Sequence, residues 1–342
     1  MSEKNKASEK DELFVNLYDV LEISPRASEE VITAAHDVLA KKYSSKKRAN
    51  KTAVISLNEA KDTLLDKVKR EEYDKKREDL KGSVIGNYRV LELIAEGGFG
   101  KTYKGEHVTL KAPVCIKHGH YVSPQDEKIL LEEAKSIWDL RHYGIPTMRD
   151  ILKIDDGSLA IVMSYIPGKT LGKIVEKAGK LDVEHVSWIT ERTLNVLKYL
   201  HFNGVVHGDV KPQNIIIQPE SHNLVLVDYG LSLIRPTKES KSVGYTPYFA
   251  SPEQEKGNPL LPESDFYSLG MTMIYALGGD IERKKVPQST PEPLCDFIKK
   301  LLVKDVLYRP NWEKEDLFET ISELRLKMFG RKHSGMKKLE VS

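Results

Sequence analysis

The sequence predicts an α+β chain: a small all-α region, then a stretch rich in β-prone runs, then a mostly helical half. Three observations predict this. Residues 13–79 carry apolar positions at helical spacing. β-prone runs begin at Tyr88 and recur at Pro113-Val114-Cys115-Ile116-Lys117 and over 159–165. Helical stretches then dominate, over 182–201 and 312–329. With 342 residues, two domains can each bury a core. Hydrophobic content of 40% with 30% charged residues is ordinary globular composition and excludes wholesale disorder. No apolar run approaches the roughly 20 residues of a membrane helix. The start, MSEKNKASEKDEL, lacks the apolar core of a signal peptide, so a cytoplasmic protein with no membrane partner is expected. Lys plus Arg exceed Asp plus Glu by 53 − 51 = 2, too little to argue for nucleic acid as a partner. Cys115 and Cys295 lie far apart in apolar surroundings and read as reduced core residues.

Residues 1–12 are polar and charged and are expected to be disordered. A short helix over 16–23 ends at Ser24-Pro25, and Ser28-Glu29-Glu30 starts a second with acids in its first turn. Val31, Ala35, Val38 and Leu39 are expected along its buried face, up to Tyr43. A third helix follows over 52–65, then a charged segment over 69–74. LYDVLEISPRASEEVITAAHDVLAKKY, LNEAKDTLLD and KREEYDKK together resemble the helices of a J-domain, here set at 13–80. One departure matters. Where that family carries His-Pro-Asp, the element that stimulates a partner chaperone ATPase, this chain has Ser44-Ser45-Lys46. The resemblance therefore implies a J-like region without chaperone stimulation, left to dock a protein partner or the rest of its own chain. Lys41, Lys42, Lys46, Lys47, Arg48 and Lys51 form a basic helix end that reads first as a solvated surface and otherwise as a contact for an acidic partner. Residues 81–87 read as a linker.

Ala95-Glu96-Gly97-Gly98-Phe99-Gly100-Lys101-Thr102-Tyr103 is a glycine-rich hairpin, and such a hairpin lets backbone N–H groups approach phosphate oxygens closely. Lys117 ends a strand, where a buried ammonium needs a partner. The helix expected over 125–140 offers two, Glu132 and Glu133. Asp182 is a suitable N-cap for the long helix to His201.

Residues 205–233 carry the chemistry. Asp209 is followed by Lys211 and Asn214, and Asp228 opens an Asp-Tyr-Gly turn after the run Leu224-Val225-Leu226-Val227. Two acids fixed at the ends of an apolar hairpin suit phosphoryl transfer from a nucleotide to a hydroxyl. One carboxylate orients the hydroxyl and takes its proton, while the other, with an amide, holds metal ions on the phosphates.

His207-Gly208-Asp209, Asn214 and Asp228-Tyr229-Gly230 resemble the protein kinase family, whose patterns are His-Arg-Asp, Asn and Asp-Phe-Gly. The resemblance covers 88–329 and implies a bilobal kinase fold binding ATP and Mg²⁺, with a basic tail at 330–342. It implies that Asp209, Lys211, Asn214, Lys117 and Glu133 carry catalysis, with Glu132 as the alternate partner of Lys117. Gly97, Gly98, Phe99 and Gly100 would cover the phosphates, with Ala95 in place of the family's first glycine. Met163 would guard the adenine pocket, the backbones of Ser164 and Ile166 would bind the adenine edge, and Asn214 and Asp228 would hold the metal. Thr246-Pro247-Tyr248-Phe249-Ala250-Ser251-Pro252-Glu253 resembles the end of the activation segment, with Ser-Pro-Glu for Ala-Pro-Glu. By the same resemblance Glu253 pairs with Arg309, and Asp265 holds the catalytic loop near His207.

Gly208 stands where most of the family has an arginine that a segment phosphate neutralises, so activation without phosphorylation of Ser240, Ser242 or Tyr245 is expected. The short Pro-rich run after Gly278-Gly279 implies loss of most of a docking helix. Lys211 and Thr246 favour Ser/Thr acceptors on protein substrates. The competing readings are a catalytically weak kinase-fold scaffold or chaperone adaptor and, behind it, a kinase of small molecules.

Overall fold

The structure, a computed structural model, describes residues 17–23, 27–44, 51–77, 80–97, 100–119, 124–154, 158–242 and 244–332. The chain divides into two compact units.

The first unit opens with helices α1 (Leu17–Val20), α2 (Glu29–Ser44), α3 (Lys51–Leu65) and α4 (Lys67–Arg77). Tyr18, Leu21, Ile32, Leu39, Leu57, Ala60 and Leu64 form their core. Of the row expected to be buried on α2, Leu39 is buried and Ala35 half-buried, but Val31 is 48% and Val38 66% exposed, and Ile32 joins Leu39 in the core instead. Both rows repeat at i, i+7, but the Val31 row runs on into Lys41 and Lys42 and so faces water. The charged α4 is pinned, not merely solvated. Tyr18 Oη donates to Asp74 Oδ1 at 2.8 Å and accepts from Arg70 Nε at 3.1 Å, and Tyr73 Oη accepts from the Leu17 N–H at 2.8 Å. Asp66 Oδ1 takes the N–H groups of Val68 and Lys69 and so starts α4.

Strands β1 (Val84–Ile85), β2 (Tyr88–Gly97), β3 (Gly100–His107) and β4 (Pro113–Gly119) follow, neighbours in chain order. The expected linker at 81–87 thus contains a strand: Ile85 pairs with Tyr88 and Val84 with Arg89, antiparallel. A two-residue turn at a glycine was enough to start the sheet early.

The second unit holds α5 (Pro124–Ile137), all but the last two residues of β5 (Met148–Lys153), the adjacent strand β6 (Leu159–Ser164), β7 (Lys169–Thr170), α6 (Leu171–Ala178) and α7 (Val183–Phe202). Asp182 caps α7 by accepting from the His185 N–H at 2.9 Å, as its sequence position suggested. Then come β8 (Val205–Val206), a 3₁₀ turn (Pro212–Asn214), β9 (Ile215–Gln218), β10 (Asn223–Leu226), β11 (Leu233–Ile234), α8 (Pro252–Glu255), α9 (Pro262–Ala276), α10 (Glu292–Leu301), a second 3₁₀ turn (Val306–Tyr308) and α11 (Leu317–Phe329). Between α9 and α10 no further helix forms, in line with the short Pro-rich run. Helix α7 packs against both α9 and α11. Across the α7–α11 contact Glu191 meets Arg325 in a buried ion pair and accepts from Ser322 Oγ at 2.8 Å.

The last helix starts five residues later than expected, because 311–315 forms its own turn and Asp316 caps α11 through the N–H groups of Phe318 and Glu319. Both cysteines are free thiols and half-buried, not core residues. Among the described residues no helix is long and apolar enough to cross a membrane.

Candidate active site

Two short sheets fix the ends of the acid-bearing segment. In the β9–β10 hairpin Gln218 faces Asn223 and Ile215 faces Leu226, so Asn214 and Val227 lie just beyond its last pair, where the Val227 N–H donates to Asn214 O at 2.9 Å. Strands β8 and β11 pair Val206 with Leu233, which holds the start of the catalytic loop beside the stretch following Asp228. The convergence of Asp209 and Asp228 is therefore a consequence of backbone pairing, with Val, Ile and Leu supplying the β-prone stuffing.

Asp265, at 0% exposure on α9, clamps the loop from below. Its Oδ2 accepts from the His207 N–H and its Oδ1 from the Gly208 N–H, each at 2.8 Å. His201 Nε2 reaches the same Oδ2 at 2.8 Å, while Trp312 Nε1 donates to His201 Nδ1 at 2.9 Å. An indole N–H can only donate, so the His201 proton sits on Nε2, facing Asp265. Sequence reading had placed Asp265 but missed His201 and Trp312, residues 111 apart in the chain.

His207 joins the two acid-bearing turns. Its Nδ1 accepts from the Asp209 N–H at 3.1 Å, which puts the ring proton on Nε2, 3.3 Å from Val227 O. Complete burial holds this imidazole below its ordinary pKa, against the opposing charges of Asp265, Asp209 and Asp228. A neutral ring is what the two hydrogen bonds require. The Tyr229 ring meets it edge-on at 4.8 Å.

Asp209 is nearly buried, and its carboxylate is held by three donors. Thr246 Oγ1 donates to Oδ1 at 2.6 Å, and Lys211 Nζ and Asn214 Nδ2 reach Oδ2 at 2.7 and 2.9 Å. Lys211 also donates to Thr246 Oγ1 at 2.9 Å. The Asn214 amide also donates to Asp209 O at 3.0 Å, which commits its NH₂ group and leaves its oxygen as the remaining ligand atom. Asp228 has φ +66°, a left-handed conformation that costs a non-glycine residue on the order of 1 kcal/mol.

An amide oxygen and a carboxylate, Asn214 and Asp228, suit a hard cation that keeps most of its waters and takes phosphate oxygens as further ligands. Among the described residues no group of three or more His, Cys, Asp or Glu could hold an ion alone.

The other sequence-predicted residues are placed as follows. Lys117 lies on β4, half-buried, on the strand face opposite Val114, Ile116 and His118. Glu133 on α5 is 3% exposed, whereas Glu132 pairs with Lys135 at 2.8 Å on the surface. Of the two candidates only Glu133 sits where a charge must be compensated. Met163 is buried at the end of β6. The Ser164 N–H donates to Thr147 O at 2.9 Å, and Ile166 is half-buried beyond it. Gly97 ends β2 and Gly100 begins β3 with φ +145°. Gly98 and Phe99 lie outside the described residues, as do Ser45 and Lys46 of the J-like region.

Gly208 has a second meaning beside its missing charge. Its φ is +75°, and a Cβ there would stand 2.6 Å from Leu231 O and 2.7 Å from Leu260 Cδ1. Glycine answers a steric demand of this loop.

The lower anchor is as expected. Arg309 grips Glu253 through both nitrogens at 2.7 and 2.8 Å, and Ser264 Oγ adds a third bond at 2.7 Å. Ser251, just before Glu253, is fully buried, and its hydroxyl has no hydrogen-bond partner among the described residues. Removing an unsatisfied buried hydroxyl should help. Ser251→Ala is expected to leave stability unchanged or raise it by up to about 1 kcal/mol, read as a denaturation midpoint at or above that of the parent. A midpoint clearly below the parent would show a hidden partner.

A sheet-bearing unit, a helical unit, and two acid-bearing turns on one hairpin define the architecture of a protein kinase domain. A model of the protein kinase domain matches residues 88–284, more than half of the chain, and the chain belongs to that family. A DnaJ domain model matches residues 16–74. The serine/threonine-protein kinase pkn3 of Myxococcus xanthus is 30% identical over 58% of this chain and 38% of its own length. A probable serine/threonine-protein kinase of Clostridium perfringens is 30% identical over 68% of the chain and 38% of its own. For the serine/threonine-protein kinase PrkC of Bacillus subtilis the figures are 30%, 58% and 31%. The chain thus spans about a third of the length of these relatives.

Proposed function

We propose that the chain is an ATP- and Mg²⁺-dependent protein kinase that transfers the γ-phosphoryl group to serine and threonine hydroxyls. The observation that carries this is the Asp209 carboxylate held at once by Thr246, Lys211 and Asn214. A carboxylate so fixed can orient an acceptor hydroxyl and take its proton without first paying to reorganise. Lys211 neutralises charge on the transferred group, and Asn214 and Asp228 are the Mg²⁺ ligands. The metal supplies charge neutralisation on the phosphates. Lys117 binds the nucleotide phosphates and Glu133 is a catalytic residue, Gly97, Gly98, Phe99 and Gly100 cover the phosphates, and Met163, Ser164 and Ile166 line the adenine site. Sequence resemblance and the burial of Glu133 support these last assignments. The Lys211–Thr246 bond and the relatives' names support Ser/Thr acceptors.

In this reading the chain acts in the cytoplasm, and its J-like helices dock a protein partner. The loss of His-Pro-Asp argues against chaperone stimulation. Labelled ATP, Mg²⁺ and a general protein acceptor provide the test, with Asp209→Asn as the blank. Label on serine and threonine is expected. Incorporation no higher than the blank would overturn the proposal.

A further inference from the structure

Position 208 has no arginine, yet the activation segment is tied to the catalytic loop. Gln254, at 2% exposure on α8, makes the connection. Its Nε2 donates to Gly208 O at 2.7 Å and to Gly244 O at 3.1 Å, so one amide group holds both the residue before the catalytic aspartate and the activation segment. The Ser242 hydroxyl adds a bond back to Gln254 O at 3.2 Å.

Asp265 already fixes the Gly208 N–H. The Gly208 residue is thus held at both ends, by a carboxylate at its N–H and by Gln254 at its carbonyl. Gly244 lies two residues before Thr246, whose hydroxyl holds Asp209. One side chain therefore braces Asp209 from both its own loop and the segment that supplies its threonine.

We propose that Gln254 is a positioning residue: a neutral amide latch that holds the activation segment on the catalytic loop and takes the place of an arginine–phosphate clamp. A clamp of two charges forms only when the phosphate is added, whereas an amide between two carbonyl oxygens is complete as soon as the chain folds. The Gly208 carbonyl is buried and the Gly244 carbonyl partly so, and both accept from Gln254, so losing that amide strands the first and loosens the second. The latch makes the kinase ready without modification of Ser240, Ser242 or Tyr245. This inference rests on the phosphoryl-transfer reading.

Its test uses the full chain. Gln254→Met keeps the length and removes both donors. It is expected to lower kcat roughly ten- to a hundredfold while KM for ATP stays within about twofold, because the residue positions Asp209 and does not touch nucleotide. Hydrogen exchange at the Phe249 and Ala250 amides, which donate to Thr246 O, should quicken in the same variant. In the phosphatase-treated parent those amides should be protected and kcat unchanged, a reading that needs no variant to fold.

Parent-like kcat and exchange in Gln254→Met would overturn the latch, as would loss of activity in the phosphatase-treated parent. A parent protein that transfers no phosphate would instead strike at the kinase reading, and the exchange pattern would still report on the latch.

Discussion

Asp209→Asn is expected to lower phosphoryl transfer by about a hundred- to ten-thousandfold, the range for a positioned general base, while ATP affinity changes little. The substitution removes the charge that accepts the proton, and it also upsets the clamp. Asp209 Oδ1 accepts a hydrogen bond from the Thr246 hydroxyl, and Oδ2 accepts from Lys211 and Asn214. An asparagine can satisfy one side only; its NH₂ group must face a donor on the other. Folding should survive, because Asp265 and His207 hold the loop backbone independently of this carboxylate. Steady-state transfer measured beside ATP binding and thermal unfolding separates these effects. A variant that keeps transfer within about tenfold of the parent would remove Asp209 from the chemistry.

Arg309→Met should cost about 3–5 kcal/mol of stability, the usual penalty for stranding one partner of a buried ion pair. All three guanidinium nitrogens are engaged. Beyond Glu253, they reach the carbonyls of Val303, Glu263 and Lys304. Burial alone would raise the Glu253 pKa, but hydrogen bonds from Arg309 and Ser264 outweigh it and hold the carboxyl below its ordinary value.

The pH dependence follows from that sign. In the parent, the pair's contribution is complete above the ordinary glutamate pKa and is lost as pH falls through the lower folded value. In Arg309→Met burial is no longer opposed by the guanidinium, so the Glu253 pKa rises and the deficit is largest near neutrality. Acid should narrow the gap between variant and parent. The double variant Arg309→Met with Glu253→Gln should be more stable than Arg309→Met alone, and a gap that widens in acid would contradict this account.

The two aspartate turns, the Asp182 cap, the Asp265 clamp and the Glu253–Arg309 pair were all legible in the sequence. The cap rests on short-range spacing and the aspartate turns on their own residues, whereas the Asp265 clamp and the Glu253–Arg309 pair came with the resemblance to the kinase family. The residues that were not legible act at long range through neutral groups. His201 and Trp312 come together only because α7 packs in the helical unit against α9 and α11. Gln254 reads in sequence as an ordinary helix residue, and its role appears only when Gly208 O and Gly244 O stand beside it. Thr246 was read for acceptor preference, while its bond to Asp209 emerged from the geometry.

On α2 the pattern misled because two apolar rows repeat seven apart, and the lysines that continue the Val31 row, Lys41 and Lys42, were not weighed against it. The strand at Val84–Ile85 is too short to show alternation. At Gly208 the residue type drew attention to a missing charge, and the positive φ revealed a steric reason for the same letter.

Calorimetric titration of a non-hydrolysable ATP analogue, with and without Mg²⁺, tests most directly whether Asp228 and Asn214 serve a metal-bound nucleotide. The account predicts that Mg²⁺ strengthens binding to the parent, and that Asp228→Asn still binds the analogue but loses most of the Mg²⁺ effect. An equal Mg²⁺ effect in parent and variant would contradict it.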